Sequence, residues 1–399
     1  MHRRLTVSLP KGTLPLGKKY FLKRHGLVTY VNGREEKNKV IYVPKRIGNL
    51  FNKMCEIENI KIAIFDSARG KKKRKSVKKV LENVDEYARK IQRILLTGSY
   101  HPSGYHEREL YDSHSRKVRM ICSTAYYPDQ IIFWCVINAT KPAIMRGMND
   151  WCCGSIPERG IKHGYRAIKR WLDCDWKNTK YCLKLDIHHF YQSVPHGKLM
   201  VALKHKIKDK KMLGLLHTIV YSCQSGLPIG NYTSQWFANF YLEPLDHYIK
   251  QELHIKRYVR YVDDMVLFSS SKKQLHKAEK AIAQWLEKMG LALKGNYQIF
   301  PTKSHAIDFL GYQFQRNHIK LRKRNFLLLR KQYRKIKKLQ SRNQPVPFHT
   351  AAGFISRYGQ LQHCSAYWLR QKYRKLLKPL KEVIHNESKR LNFPSRTVI

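Results

Sequence analysis

Apolar and polar positions alternate with two different periods along this chain, and the changes between them mark its elements. From Ile47 to Ile64 apolar residues recur at helical spacing. Residues 77–97 do so again, with Val77, Val80, Leu81, Val84, Ala88, Ile91 and Ile94 on one side. Two strand-like pieces bracket residues 105–122, and IIFWCVINATKPAIM then predicts a buried helix ending near Pro142. YCLKLDI (181–187) predicts a short buried strand, residues 234–253 an aromatic-rich helix, and residues 256–268 a strand, a turn and a strand. From residue 323 onward the pattern is basic and helical, broken by NQPVPF at 343–348 and by Gly353. Before residue 45, LVTYV and KVIYV flank Asn32-Gly33 as in a hairpin. Helices mixed with a few short strands predict an α+β fold.

Charge narrows the partner. Lys and Arg total 78 against 28 Asp and Glu, a formal net charge of +50 over 399 residues. Such a field draws polyanions, and its spread along the chain favours a nucleic-acid backbone over a membrane surface. The run GKKKRKS at 70–76 reads either as a solvated loop or as an RNA-contacting patch. Nine cysteines without a C-x-x-C pair, several inside apolar runs, read as buried free thiols of a reducing compartment. No stretch has the length of a membrane span, so a cytoplasmic protein without membrane contact is expected.

The chemistry concentrates in RYVRYVDDMVLFSS (257–270). Two adjacent carboxylates between apolar β-type runs predict a hairpin with Asp263 and Asp264 at its tip. Two like charges there are costly unless cations neutralise them, and Mg²⁺ favours carboxylates together with phosphate oxygens. A solvated surface turn is the plain alternative. KLDIHHFYQSVPH adds Asp186 at the end of an apolar strand and Tyr191 after it, and a third carboxylate would complete a two-metal site. His188 and His189, adjacent on a strand and with no cysteine pair, do not read as zinc ligands.

These segments, D-x-x-x-x-Y at 186–191 and Y-V-D-D at 261–264, resemble the palm of reverse transcriptases. SGLPIGNYTSQWFANFYLEPLD (225–246) resembles the motif supporting template and incoming nucleotide, and DFLGYQF (308–314) the hairpin that grips the primer. GSIPERGIKHGYRAIKRWL (154–172) is similar to the segment before the first catalytic strand of bacterial enzymes. The resemblance runs from about Lys45 to Leu369 and is nearest to enzymes of diversity-generating retroelements. There, LPIG followed by Thr-Ser-Gln stands in place of LPQG followed by Ser-Pro, with Ile229 and Gln235 at the altered positions, and this accompanies error-prone copying.

The resemblance implies a right-hand polymerase with an antiparallel palm sheet. A basic N-terminal extension would cover residues 1–45, fingers and the start of the palm 46–180, the palm 181–318, and a helical thumb and tail 319–399. It assigns Asp186, Asp263 and Asp264 to catalysis, and the same three with the Ile187 carbonyl to two Mg²⁺ ions, Mn²⁺ being an alternative. Lys117, Arg119, Tyr191, Ile229 and Gly230 would meet the nucleotide, Tyr191 as a gate against the ribose 2′-hydroxyl. Gln235, Leu310, Gly311 and Tyr312 would meet template and primer. Lys294 or Lys303 is a candidate proton donor to pyrophosphate, and Asp129-Gln130 replaces a common Asp-Arg, leaving one fingers cation missing.

Implied partners are an RNA template or noncoding RNA, a DNA or RNA primer, deoxynucleoside triphosphates and a small basic accessory protein, with oligomeric state open. The resemblance also leads to the expectation that no ribonuclease H or endonuclease domain follows the thumb. Two rival readings are a phage-defence reverse transcriptase acting with a noncoding RNA in weakly templated synthesis, and an RNA-binding scaffold without catalysis.

Overall fold

The computed structural model describes residues 19–23, 26–31, 34–35, 46–112 and 117–390. Near the N-terminus, strands β1 (Lys19–Lys23), β2 (Gly26–Val31) and β3 (Arg34–Glu35) form an antiparallel sheet. LVTYV therefore pairs with residues 19–23 and 34–35, while KVIYV lies outside the described residues. Helices Leu50–Cys55, Ile57–Ser67, Lys75–Glu82 and Val84–Thr97 follow. The periodic stretch 77–97 is thus two helices, broken at Asn83.

A long hairpin, β4 (His106–Asp112) and β5 (Lys117–Ser123), leads into the buried helix Ile131–Met145. That helix runs past Pro142 rather than ending there. The missing N–H costs one hydrogen bond, but the helix is buried along most of its length, and its packing carries it through.

The central sheet has β6 (Tyr181–Leu185), β7 (Arg257–Tyr261), β8 (Asp264–Ser269) and β9 (Gln298–Pro301) in the order β7-β8-β6-β9, all antiparallel. Side chains alternate between its faces. Leu183, Leu185, Tyr258, Met265 and Leu267 join one hydrophobic core with the helices of residues 50–97 and 131–145. Cys182, Val259, Val266 and Phe268 join a second core. Burial on both faces explains why these strands read as continuous apolar runs.

The second core unites helix Gly160–Cys174, the sheet β10 (Ile307–Phe309), β11 (Tyr312–Gln315) and β12 (His318–Leu321), and the C-terminal helices. Those helices are Lys323–Ser341, Phe348–Leu361, Tyr367–Arg374 and Leu377–Arg390. Leu329, Ile336, Phe354, Tyr358 and Leu361 are buried together, as their spacing predicts. Gly353 does not break its helix: a Cβ there would sit 2.5 Å from Gln332 Nε2, so the position serves close packing of two helices. The fold is α+β, with an antiparallel sheet at its centre. Among the described residues no helix is long and apolar enough to cross a membrane, and all nine cysteines are free.

Candidate active site

The β7–β8 hairpin turns more tightly than its sequence suggests. Tyr261 pairs with Asp264, so Val262 and Asp263 form the two-residue turn and Asp264 already belongs to the returning strand. The expected tip of two aspartates is corrected to one. Val262 has φ 60°, the left-handed conformation that a first turn position of this kind requires and a β-branched residue resists. Its neighbours hold it there. Arg260 Nη1 donates to the Val262 carbonyl at 2.9 Å. Gly154 lies so close that a Cβ would come within 2.7 Å of the Val262 nitrogen. This gives the GSIPERG segment a structural task under the turn.

Behind the hairpin lies a polar network that sequence reasoning missed. Arg260 and Asp246, both wholly buried, pair at 2.6 Å. Tyr258 donates to the same carboxylate at 2.7 Å, and Arg260 also reaches Asn239 Oδ1 at 3.0 Å. The signal was present in RYVRYV: an arginine on the strand face that carries Tyr258 inward needs a buried acid.

Ahead of the hairpin, one open cavity of about 330 Å³ collects Arg119, Asp186, Tyr191, Ile229, Asp263 and Lys294 on its walls. Asp186 follows β6 and Asp263 tips the hairpin, which brings two carboxylates distant in sequence face to face. Burial first, and Asp186 second, push the Asp263 carboxyl up to about 6, with Arg119 acting in the opposite sense. Asp264 is pushed up to about 7, chiefly by burial; Lys184 opposes this, and Asp186 and Asp263 add to it. Its Oδ1 is buried without a hydrogen-bond partner, and its side chain does not line the cavity.

Lys294 is fixed twice to Asp186, its backbone nitrogen on the Asp186 carbonyl and its Nζ on Oδ2, each at 2.9 Å. Lys303 is exposed and does not line the cavity. Of the two candidate proton donors, the structure brings Lys294 to the site.

No three His, Cys, Asp or Glu side chains among the described residues stand as a ready cage for an ion. The donors nevertheless fit hard divalent cations: two carboxylates face one cavity, a third has an orphaned buried oxygen, and burial strains the charge of both hairpin aspartates. Lys294 pairs with Asp186 at the edge of this group. His188 and His189 lie in the turn after β6, with His189 at φ 43°, rather than on opposite faces of a strand, and their rings are 4.1 Å apart.

Tyr191 sits on the one-turn helix Phe190–Ser193, lining the cavity. Burial and then Asp263 push its hydroxyl up to about 12. Its carbonyl accepts from Leu227 at 2.6 Å, and Gly226, at φ 64°, passes within 2.5 Å of the same backbone as judged by an added Cβ. The LPIG segment is thereby laid across Tyr191, with Ile229 on the cavity wall. Gly230 faces away, toward a neighbouring cavity behind β5. The Lys117 side chain lies outside the described residues.

Gln235 is exposed on helix Tyr232–Tyr241, and Leu310 and Gly311 form the β10–β11 turn at φ 54° and 85°. Tyr312 is not free to touch a primer. It is 4% exposed, its ring lies against Tyr165, and its hydroxyl donates to the Gln360 carbonyl at 3.3 Å. It anchors the turn to the C-terminal helices. Asp129 is a structural acid, accepting from the Tyr100 hydroxyl at 2.9 Å.

Two carboxylates at the end of the central sheet thus share one cavity with Arg119 of the β4–β5 hairpin. Residues 112–314 match the family described as reverse transcriptase (RNA-dependent DNA polymerase), and the chain belongs to that family. Protein YkfC of Escherichia coli strain K12 is 25% identical over 169 residues, 39% of this chain and 44% of that protein. The retron Ec73 reverse transcriptase of Escherichia coli is 29% identical over 166 residues, 37% of this chain and 50% of the relative. The matches span half or less of these relatives' length. Among solved structures, telomerase from Candida albicans in complex with a fragment of telomeric RNA is similar at 12% identity and a TM-score of 0.43, over 60% of this chain and 51% of that one.

Proposed function

We propose that the protein is an RNA-directed DNA polymerase that makes cDNA by two-metal nucleotidyl transfer. The observation that carries this reading is the meeting of Asp186 and Asp263 on one cavity wall with Tyr191, Ile229 and Arg119. Phosphoryl transfer asks for positioning and charge neutralisation more than for reactive side chains. When bound, Mg²⁺ supplies activation of the primer 3′-hydroxyl and neutralises the triphosphate. Asp186 and Asp263 would hold it, with Asp264 and the Ile187 carbonyl in support, and Mn²⁺ would suit the same oxygens. Arg119 meets the triphosphate from the hairpin, and Gly311 with Leu310 the primer end. Tyr191, held by Gly226 and Leu227, fills the space of a ribose 2′-hydroxyl. Lys294 stands beside Asp186 as the proton donor to pyrophosphate.

Domain roles follow from this reading: fingers over 46–180, palm over 181–318, helical thumb from 319. Ile229 offers no amide to the incoming sugar, which supports low-fidelity copying of the diversity-generating retroelement type, with a small basic partner protein. The likeness to the retron Ec73 enzyme favours a second reading, a reverse transcriptase working with a structured noncoding RNA in defence.

Primer extension on defined RNA templates tests the proposal. Product complementary to the template is expected. Homopolymer product would replace it with weakly templated synthesis, and absence of product, with RNA still bound, would leave an RNA-binding scaffold.

A further inference from the structure

Strands β6 and β11 each point one end toward the candidate active site, and their other ends meet in a second surface. Asp186 follows Leu185 where β6 opens on the catalytic cavity, whereas residues 176–180 precede Tyr181 at its start. Lys180 and Asp186 therefore stand roughly 20 Å apart, at about 3.3 Å per strand residue. Gly311 precedes β11, and Arg316 with Asn317 makes the two-residue turn at its far end, where Gln315 pairs with His318.

Arg316 joins the two far ends. Its Nη2 donates to the Trp176 carbonyl at 3.3 Å, and its guanidinium lies 5.8 Å from the centre of the Trp176 ring. Lys180 Nζ stands 5.8 Å from the same centre. The tryptophan is nevertheless 50% exposed, and Arg316 Nε is buried without a hydrogen-bond partner. A large ring left half in water beside two cations is a stacking platform without a cover.

On the other side of the Arg316-Asn317 turn opens a cavity of about 570 Å³. Helix Gly160–Cys174, the β11–β12 turn and the link between helices Phe348–Leu361 and Tyr367–Arg374 enclose it. Lys169, His318, His363 and Arg370 line it, and the one carboxylate among its lining residues, Asp173, is paired with Lys169 at 2.6 Å. The walls are fixed. Arg370 Nη1 donates to the Gln362 and Cys364 carbonyls at 3.0 and 3.1 Å, and Ser365 N donates to the Ile319 carbonyl at 2.8 Å. Burial first, then Lys162 and Arg166, hold the His363 imidazole below its usual range. Positive charge is crowded here beyond what the chain offsets, which favours an anion.

We propose that this surface is a second nucleotide-binding site, taking one unpaired nucleotide with its phosphate in the cavity and its base on Trp176. Cations select the phosphate and the exposed ring selects a flat base, whereas a simple anion would leave the indole unused. The volume lies in the range of small-ligand sites. A base inside a duplex has its faces covered, so the occupant is either a free nucleotide or a unit of single-stranded RNA. It is not the strand being copied, because the catalytic cavity lies at the opposite end of β6. The site goes beyond the polymerase reading and does not depend on it.

The test is equilibrium binding of a short, unstructured, labelled oligoribonucleotide to the full-length protein. Excess unlabelled primer annealed flush to its template fills the catalytic cleft. Trp176→Ala with Lys169→Ala should weaken binding by roughly tenfold. The salt dependence should flatten by about 0.7 for the phosphate that Lys169 no longer neutralises. Trp176→Phe should keep most of the affinity. Lys169→Ala alone, a change at an exposed side chain, should still lose several-fold whatever the tryptophan variant does to folding. Lys204→Ala with Lys208→Ala, at exposed lysines near the end of helix His196–Lys206, should change little. Displacement by millimolar adenosine monophosphate would assign the site to free nucleotide, and displacement by unlabelled strand alone would assign it to RNA. No loss in the Trp176 and Lys169 variants, or an equal loss in the Lys204 and Lys208 variant, would overturn the proposal. So would displacement by inorganic phosphate as effective as by the nucleotide. No arm requires copying, so failure here leaves the polymerase reading standing.

Discussion

Asp246, wholly buried, and Asp263, half-buried on the cavity wall, are acids beside the same hairpin, yet the chain treats them oppositely. Asp246 receives a guanidinium and a tyrosine hydroxyl, both from β7. Asp263 has Asp186 across from it and Asp264 next in sequence, and burial raises its carboxyl toward neutrality. Taking a carboxylate out of water costs several kcal/mol unless a cation compensates. One site is compensated by the chain itself and acts as scaffold. At the other, Lys294 on Asp186 and Arg119 nearby leave the Asp263 carboxyl still raised, so compensation is incomplete. On the function proposed above, a divalent ion and a triphosphate would complete that compensation. The fully paired acid holds the turn on which the underpaired one is presented.

This contrast can be broken from either side. Asp263→Asn should lower nucleotide incorporation by roughly a thousandfold or more, since charge stabilisation by a bound ion is worth several kcal/mol. RNA binding should persist, as a filter-binding assay would show; retained incorporation would remove Asp263 from the chemistry. Arg260→Met attacks the scaffold and should cost about 3–5 kcal/mol of stability by leaving Asp246 buried and unpaired. Denaturant unfolding checks it, and pairing the change with Asp246→Leu should recover much of the loss. Tyr191→Ala leaves both acids alone and should reduce discrimination against ribonucleotides by roughly tenfold or more, the scale of a steric pocket change. The smallest effect belongs to Ile229→Gln. One added hydrogen bond of about 1 kcal/mol should lower misincorporation opposite template adenine a few-fold, read by sequencing the cDNA. An unchanged error spectrum would make Ile229 a packing residue only.

Much of this was legible in the sequence because it is local. The alternation of RYVRYVDDMVLF gave the hairpin, and Asp186 at the end of an apolar strand gave its partner. The fold class and family likewise followed from short motifs in order. What stayed hidden depends on contacts between distant segments. Nothing near Arg260 announces Asp246 as its partner, and nothing near Trp176 announces Arg316. The two-residue turn placed Val262 where an aspartate was expected, because pairing of Tyr261 with Asp264, not residue preference, set the register. Tyr312 looked like a primer contact beside Gly311, but alternation turns it inward against Tyr165. Pro142 and Gly353 looked like breaks, and packing overrode both.

The central claim is that the Asp186–Asp263 pair carries negative charge left for divalent cations to complete. Thermal unfolding of wild type and Asp263→Asn across a Mg²⁺ titration tests it most directly. Without divalent ion, the Asn variant should melt above the wild type, because one half-buried charge facing Asp186 is gone. As Mg²⁺ rises, the wild type should gain stability, by about 1.4 kcal/mol at ten times the dissociation constant, while the variant barely responds. A variant that melts lower without the ion and gains as much from it would contradict the account.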